Sequence, residues 1–198
     1  MKLCLIKSLI KKKDNNIFFL LKKFNIKIII TNNKKKIIKS DKIIIYISNK
    51  ISIKKSIKII KKKKLDNVIL NLKQPILGIS NGLNILCSNF RKIKCLNIFK
   101  NIKIKIFKKK NIGWYKVYHN NDEKLFSNIK NNNFYQYFLN KYYIPIGAYC
   151  ISHTNNIITY SSALKRKNFY GIQFNPELSG YNGFKIIKNF LFKIKNEN

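Results

Sequence analysis

Two short fragments, far apart in the chain, hold the residues whose types and spacing could do chemistry. The first, Gly78-Ile79-Ser80-Asn81-Gly82, follows an apolar run and precedes a helical pattern. A strand–turn–helix elbow of this form displays its central side chain as a nucleophile beside the N–H groups of the helix. The second, Gly171-Ile172-Gln173-Phe174-Asn175-Pro176-Glu177, places an amide and a carboxylate two positions apart. The Gly-x-x-x-Gly pattern alone is common, and an ordinary tight βα turn is its alternative interpretation.

The first half of the chain alternates predicted strands and helices. Apolar and β-branched runs predict strands over residues 1–6, 27–31, 42–47 and 75–79. Helical spacing predicts a helix capped by Asn16, one helix within residues 51–73, and a helix after the elbow with Leu83, Leu86 and Phe90 on one face. This β-α-β-α order favours a parallel sheet with helices on both sides.

The second half has a different pattern. Isoleucines that alternate with lysines over residues 102–106 predict a half-exposed strand, and the polar residues 120–133 predict a surface loop. Residues 157–161 and 168–174 are predicted to pair as antiparallel strands, and the chain closes with an amphipathic helix. We therefore predict a single domain over residues 1–198, a three-layer α/β fold whose mainly parallel central sheet gains an antiparallel portion from the C-terminal half.

The composition is strongly basic. The chain has 198 residues, a net charge of +35 and 45% hydrophobic residues, and that apolar content excludes a disordered chain. Only Arg91 and Arg166 are arginines, although bidentate recognition of phosphate and guanine favours arginine. The excess of Lys, Ile, Asn, Phe and Tyr matches residues with AT-rich codons. We therefore predict no specific nucleic-acid partner, and a basic nucleic-acid-binding protein stays as a minor alternative.

The cysteines and histidines predict neither disulfides nor a metal site. The cysteines have no Cys-x-x-Cys spacing and form no metal-ligand cluster with His119 or His153, which we interpret as surface or loop histidines. The apolar stretch 3–10 is interrupted by Lys7, too short for a membrane span, and unlike a signal peptide. A cytoplasmic protein with reduced thiols and no membrane segment is predicted.

The two fragments resemble one known family. Residues 75–86 resemble the nucleophile region of the triad (class I) glutamine amidotransferases, which have a cysteine at the position of Ser80. Residues 171–177 resemble their C-terminal Gly-x-Gln-Phe-His-Pro-Glu motif, with Asn175 at the histidine position and Glu177 as the triad carboxylate. The resemblance implies a flavodoxin-like fold, no cofactor, and glutamine as substrate, with Gly78, Gly82 and Asn84 at substrate-binding positions.

A third fragment narrows the resemblance. Asn111-Ile112-Gly113-Trp114, with the only tryptophan, is similar to the His-Met-Gly-Trp motif of the glutaminase subunits of imidazole glycerol phosphate synthase, a histidine-biosynthesis enzyme. That similarity implies a heterodimer with a HisF-like (β/α)8 cyclase subunit that consumes the ammonia. It also places Gly113 and Trp114 on the side of the partner and the ammonia channel.

The departures from the family concern the chemistry itself. The Ser80 hydroxyl needs a general base, and the Asn175 amide cannot act as one, so Glu177 has no imidazole to orient. Cys87 lies about two helical turns, roughly 10 Å, beyond Ser80 and cannot occupy the elbow. Residues 46–49, aligned with the family's Pro-Gly-Val-Gly donor loop, contain no glycine, and Asn84 replaces a glutamine. We predict weak or lost glutaminase activity; a non-enzymatic subunit that supports an ammonia-using cyclase is the alternative.

Overall fold

The computed structural model describes residues 1–10, 15–48 and 51–196. In its first half, strands and helices follow one another in the order β1 (Lys2–Ile6), α1 (Asn15–Lys22), β2 (Lys27–Thr31), α2 (Lys34–Ile38), β3 (Lys42–Tyr46), α3 (Ile53–Lys62), α4 (Asp66–Leu70), β4 (Ile76–Ile79) and α5 (Asn81–Leu86). The second half is mostly strands: β5 (Cys87–Phe90), β6 (Ile93–Lys94), β7 (Phe99–Lys103), β8 (Lys105–Lys116), β9 (Tyr118–His119), β10 (Tyr135–Tyr143), β11 (Cys150–Asn155), β12 (Thr159–Arg166) and β13 (Phe169–Ile172), before α6 (Gly180–Phe192).

Eight strands form the central sheet, in the order β2-β1-β3-β4-β13-β12-β11-β9. The first five are parallel to one another, and β13, β12, β11 and β9 pair antiparallel. Strand β4 lies between β3 and β13, with Ile79 opposite Ile172. The segments that follow β4 and β13 therefore leave the sheet at the same edge, which brings the two motif fragments together.

The run of isoleucines in β3 shows how the sequence produces three layers. Successive side chains of a strand point to opposite faces, so Ile44 packs into one core cluster while Ile43 and Ile45 pack into the other. The first cluster is covered by α1 and α6, and the second by α2, α3, α4 and α5. The predicted three-layer α/β fold with a mainly parallel sheet and an antiparallel C-terminal portion is confirmed.

Two predicted helices have different bounds in the structure. Residues 51–73 form two helices rather than one, because Lys64 adopts a left-handed conformation (φ 50°) that ends the first and turns Leu65 into the core. The helix after the elbow ends at Leu86, and Phe90 belongs to β5. The Phe90 ring packs edge-on against Tyr142 of β10, 4.8 Å between centroids, instead of continuing the helix face of Leu83.

The second half has an antiparallel hairpin where one was predicted, but other residues pair in it: residues 163–166 pair with residues 169–172, whereas residues 159–161 pair with β11. Two further predictions for this half are corrected. The half-exposed strand over 102–106 is divided between β7 and β8, with Ile104 between them. The segment 120–133 is not only a surface loop, because Leu125 and Phe126 are buried in a core cluster. No helix in the described part of the chain is long and apolar enough to cross a membrane.

Strands β8 and β10 form a separate antiparallel ribbon. The ribbon reaches the edge of the central sheet where β4 and β13 end and the two motif fragments meet. Gly113 lies opposite Phe138, and Trp114 lies opposite Tyr137. Gly113 has a φ of +140°, a backbone conformation that residues other than glycine rarely adopt. The ribbon contributes residues to the candidate site, although β10 was absent from the sequence-based prediction.

Candidate active site

Ser80 occupies the turn of a strained strand–helix elbow. Its backbone angles are φ 52° and ψ −113°, between the end of β4 and the start of α5. The Ser80 N–H donates a hydrogen bond to the Ile172 carbonyl at 2.8 Å, which ties the turn to β13. Such a backbone costs on the order of 1–3 kcal/mol and persists where the surrounding structure enforces it. The predicted strand–turn–helix elbow is therefore present at position 80.

Three glycines allow the elbow to pack this tightly. A Cβ atom on Gly82 would lie 1.8 Å from the Ile45 carbonyl oxygen, and one on Gly78 would lie 2.9 Å from the Gly82 carbonyl. A Cβ on Gly171 would lie 2.2 Å from Leu83 Cδ1. Helix α5 can therefore approach β3 and β13 only because these side chains are absent. Gly78 and Gly82 have this packing role, and Gly171 adds a third contact from the second motif.

The Ser80 side chain meets a residue that the sequence analysis missed. Its hydroxyl, half-buried, donates to Asn140 Oδ1 at 3.4 Å, and Asn140 Nδ2 donates to the Gln173 carbonyl at 2.9 Å. Asn140 is itself buried, on β10. This contact joins the elbow, the ribbon and the second motif. The sequence contains no local indication of this role, because β10 was not predicted as a strand and a single asparagine within it has no distinguishing pattern.

Asn175 and Glu177 form a hydrogen-bonded pair at the same edge. Asn175 Nδ2 donates to Glu177 Oε1 at 2.9 Å, and the Asn175 N–H donates to the Tyr137 carbonyl at 2.8 Å. Asn175 is only 1% exposed, and its Oδ1 accepts no hydrogen bond from the described residues. The Asn175 amide thus donates a hydrogen bond to the Glu177 carboxylate. An amide does not take up a proton near neutral pH, so the pair supplies no general base.

Around Ser80 the polar groups are amides, hydroxyls and one ammonium. The pocket is lined by Ser80, Asn81, Asn84, Asn140, Lys141, Tyr142 and Gln173, and its cavity volume of ≈ 10 Å³ is about enough for one water molecule. Asn84 Nδ2 lies 3.4 Å from Asn81 Oδ1, so the predicted substrate-binding residue borders the pocket. These groups can donate to a carbonyl oxygen, but none of them accepts a proton from a serine hydroxyl at neutral pH.

No other residue in the described chain replaces the missing catalytic groups. Cys87 begins β5 rather than continuing the helix, and its thiol is fully buried, so burial raises its pKa well above the ordinary value. His119 is buried, stacked 4.6 Å from the Phe126 ring, and burial lowers its pKa; the prediction of a surface histidine was wrong. His153 is half-buried, stacked on Tyr118. Among the described residues, no three His, Cys, Asp or Glu side chains gather closely enough to hold a metal ion.

The predicted loss of oxyanion donors concerns the end of β3. The Ser48 N–H donates to the Leu9 carbonyl at 2.9 Å, and the Ser48 carbonyl accepts from the Ile51 N–H at 2.8 Å. The Ser48 N–H is thus already used within the fold. Asn49, the last residue of the aligned segment, lies outside the described residues. Beside Ser80, the Asn81 N–H lies at the first position of α5 and has no intrahelical acceptor.

Gly113 and Trp114 lie one strand away from the pocket. They pair with β10, the strand that carries Asn140 and the Tyr137 carbonyl. The Trp114 side chain is 53% exposed and packs its ring at 5.7 Å from that of Tyr137. The fragment is therefore near the site but forms no part of the Ser80 pocket.

Comparisons with known proteins agree with this geometry. The family model for the glutamine amidotransferase class-I domain matches residues 10–194. The imidazole glycerol phosphate synthase subunit HisH of Buchnera aphidicola subsp. Acyrthosiphon pisum is 38% identical over 140 residues, which are 67% of this chain and 71% of that protein. HisH of Bacteroides thetaiotaomicron is 36% identical over 136 residues, 64% of this chain and 68% of that protein.

Solved structures show the same fold. A protein from Thermoplasma acidophilum, assigned as part of a GMP synthase, superposes with a TM-score of 0.73 at 16% identity, covering 96% of this chain and 92% of that one. PurLQS from Thermotoga maritima gives a TM-score of 0.68 at 14% identity, covering 98% and 99%. Fold, motif geometry and sequence agree: the chain belongs to the class-I glutamine amidotransferase family and, within it, to the HisH group.

Proposed function

We propose that this chain is the glutamine amidotransferase subunit of an imidazole glycerol phosphate synthase in histidine biosynthesis, with glutaminase activity that is weak or lost. The relationship to HisH supports the assignment to this enzyme. One observation carries the proposed loss: the Ser80 hydroxyl donates to the amide of Asn140, and the Asn175–Glu177 pair at the same edge of the sheet contains no imidazole.

The chemical argument follows from what glutamine hydrolysis requires. A nucleophile must lose a proton as it attacks the side-chain amide, and a group must then protonate the leaving ammonia. A serine hydroxyl without a base stays protonated, and neither Asn140 nor Asn175 can accept its proton. In a serine protease, removal of nucleophile or base costs on the order of 10⁶-fold in rate. We expect a comparable loss here.

The glutamine-versus-ammonia comparison tests this proposal. In the reconstituted complex with the cyclase and its ligand, we expect ammonia to support product formation and glutamine to support little or none. Any residual rate with glutamine should be unchanged in the Ser80→Ala variant, because the hydroxyl is not activated. Robust turnover of glutamine that Ser80→Ala abolishes would contradict the proposed loss of activity.

The ribbon supports a proposal for the partner surface. Opposed residues of an antiparallel pair share a face, and one face of the ribbon exposes four large apolar side chains, Ile112, Trp114, Tyr135 and Leu139. Contiguous exposed apolar residues mark interaction sites. We propose that this face binds the cyclase subunit, which is a (β/α)8 barrel, and that the Ser80 edge of the domain then faces the partner.

Replacement of Trp114 tests the partner surface. Trp114→Ala should weaken binding of the cyclase subunit by about 10- to 100-fold, because large aromatic side chains often dominate interfaces. Phe19→Ala is the matched control, since Phe19 is a large aromatic side chain, 62% exposed, that belongs to α1 and not to the ribbon. Binding is measured by titration calorimetry, with unfolding midpoints of both variants as a check on folding. Equal affinities of the two variants would exclude this face.

A further inference from the structure

One residue of the third sequence fragment has a role that the Ser80 pocket does not explain. Asn111, on β8, is only 3% exposed, and its Nδ2 donates to the Tyr160 hydroxyl of β12 at 2.8 Å. Its Oδ1 accepts from Nδ2 of Asn156, in the turn between β11 and β12, at 2.9 Å. Asn111 therefore ties the ribbon to the central sheet through both a donor and an acceptor.

Tyr160 is the residue on which the ribbon packs. It is fully buried, and the rings of Phe107, Phe138 and Tyr143 surround it, with centroids at 5.3, 5.9 and 6.4 Å. All three rings belong to β8 or β10. A buried tyrosine hydroxyl needs a hydrogen-bond partner, and Asn111 provides one from the same ribbon. The orientation of the Tyr160 ring, and the packing of the ribbon on it, are thus linked to Asn111.

The residue opposite Asn111 in the ribbon contacts Ser80. Asn111 pairs with Asn140, and opposed residues of an antiparallel pair share a face. Asn140 accepts the Ser80 hydroxyl and donates to the Gln173 carbonyl. Two facing amides therefore fasten the ribbon to the sheet, one at β12 and one at the elbow. A displacement of the ribbon at Asn111 would move Asn140 with it.

The ribbon also forms one wall of the Ser80 pocket. Asn140, Lys141 and Tyr142 of β10 line this pocket, whose cavity measures only ≈ 10 Å³. A reagent larger than water therefore reaches the side chain at position 80 more readily when the ribbon moves away. Two strands without further contacts are at best marginally stable in water. The frequency of such openings thus depends on the contacts that fasten the ribbon to the sheet.

We propose that Asn111 is a positioning residue, whose hydrogen bonds to Tyr160 and Asn156 hold the ribbon on the central sheet and keep Asn140 in contact with the side chain at position 80. This role rests on the proposed function, since it serves the same candidate site. What Asn111 contributes is hydrogen bonding rather than the volume of its side chain. A residue of the same size without these bonds would leave the ribbon loosely held.

Two measurements on the whole chain, without glutamine or cyclase, test this role. The first is hydrogen exchange of the backbone amides of β8 and β10, compared with those of β1 and β3. The second is the rate at which iodoacetamide alkylates the thiol of a Ser80→Cys variant, with the Ser80 chain as the background from the native cysteines. Asn111→Leu, which keeps nearly the same volume, should raise alkylation and ribbon exchange by about 10-fold, as expected for the loss of a buried hydrogen bond. Exchange in β1 and β3 should stay unchanged.

Two further variants separate hydrogen bonding from packing. Asn111→Asp has the shape of asparagine, and its carboxyl group can accept from Asn156 in either protonation state. When protonated it donates to the Tyr160 hydroxyl as the amide does, and when ionised it accepts from that hydroxyl. Both rates should therefore stay within about 3-fold of those of the wild type. Tyr160→Phe removes only the hydroxyl and should act as Asn111→Leu does, so it replaces that variant should Asn111→Leu fail to fold.

Asn168→Ala is the matched control. Asn168 Nδ2 donates to the carbonyls of Leu72 and Gln74, at 2.9 Å each, at the opposite edge of the central sheet. Its loss should leave ribbon exchange and alkylation at position 80 unchanged. Three results would overturn the inference: wild-type rates for Asn111→Leu, an equal rise of exchange in β1, β3, β8 and β10, or rates for Asn111→Asp as high as those for Asn111→Leu.

These outcomes are separable from that of the proposed function. Exchange and alkylation are measured without turnover and without the cyclase subunit, whereas the glutamine-versus-ammonia comparison measures product in the complex. A chain whose ribbon is held by other contacts can still support ammonia-dependent synthesis. Failure of synthesis with both nitrogen sources leaves the order of the variants unchanged.

Discussion

The double variant Ser80→Cys/Asn175→His, in complex with the cyclase subunit, is expected to hydrolyse glutamine at least about 10³-fold faster than the wild-type chain. The single variants should each stay within about 10-fold of the wild type. The reason is that nucleophile and base act as a unit, so that either one alone contributes little. A thiol beside an imidazole loses its proton far more readily than a hydroxyl beside an amide.

The structure keeps what such an imidazole needs. The backbone of Asn175 is fixed by its N–H contact with Tyr137, and its carbonyl accepts from the Ser179 hydroxyl at 2.7 Å. The Ser179 hydroxyl in turn accepts the Tyr137 N–H at 2.9 Å. Glu177 already accepts from the side chain at position 175. An imidazole introduced there would find its orienting carboxylate and a rigid backbone in place.

The rate of glutamate formation from glutamine, followed with a coupled enzyme that detects glutamate, measures this prediction. Adding Glu177→Gln to the double variant is the control, and it should remove most of the gain because the imidazole loses its acceptor. If the double variant hydrolyses glutamine no faster than the single variants, the chain has lost more of the catalytic site than the two triad side chains. Asn84, which the sequence predicts at a substrate-binding position, would then be the next residue to change, to glutamine.

The parts of the fold that were predictable are those with strong local patterns. The β-branched run of β3 and the apolar run of β4 predict buried strands, and both strands are buried because both faces of a parallel sheet are covered. The similar run of β2 also predicts a buried strand, but β2 lies at the edge of the sheet and Ile30 is 44% exposed. The elbow was predictable for a related reason, since its glycines and its place between strand and helix are local features. Its partner Asn140 was not, because the contact depends on how the ribbon crosses the sheet edge.

Two lysines have structural roles that the sequence does not reveal. Most lysines are solvated, yet Lys42 at the start of β3 is only 6% exposed. Its ammonium donates to the Ile194 carbonyl beyond α6 and lies 5.2 Å from the Phe190 ring centroid, and burial lowers its pKa to about 8. Nothing local distinguishes this lysine from its exposed neighbours. The break at Lys64 is similar, because a left-handed lysine carries no glycine-like signal.

Gly82→Ala is expected to lower the free energy of unfolding by about 3 kcal/mol, the upper end of the usual cost of overpacking. The new Cβ would lie 1.8 Å from the Ile45 carbonyl oxygen, a backbone atom in the central sheet that cannot turn aside. A loss of this size is a large fraction of the stability of an ordinary domain. Urea unfolding followed by tryptophan fluorescence and circular dichroism measures it.

Two other glycines make the comparison decisive. At Gly171 the added Cβ would meet Leu83 Cδ1 at 2.2 Å, the end of a flexible side chain that can shift, so Gly171→Ala should cost only about 1–2 kcal/mol. At Gly147 nothing lies within 4 Å, and Gly147→Ala should change stability by less than about 0.5 kcal/mol. The order Gly82, Gly171, Gly147 thus follows from what each Cβ meets. Equal unfolding midpoints for the three variants would show that α5 does not pack against β3 at this distance, and the elbow that displays Ser80 would have to be held in another way.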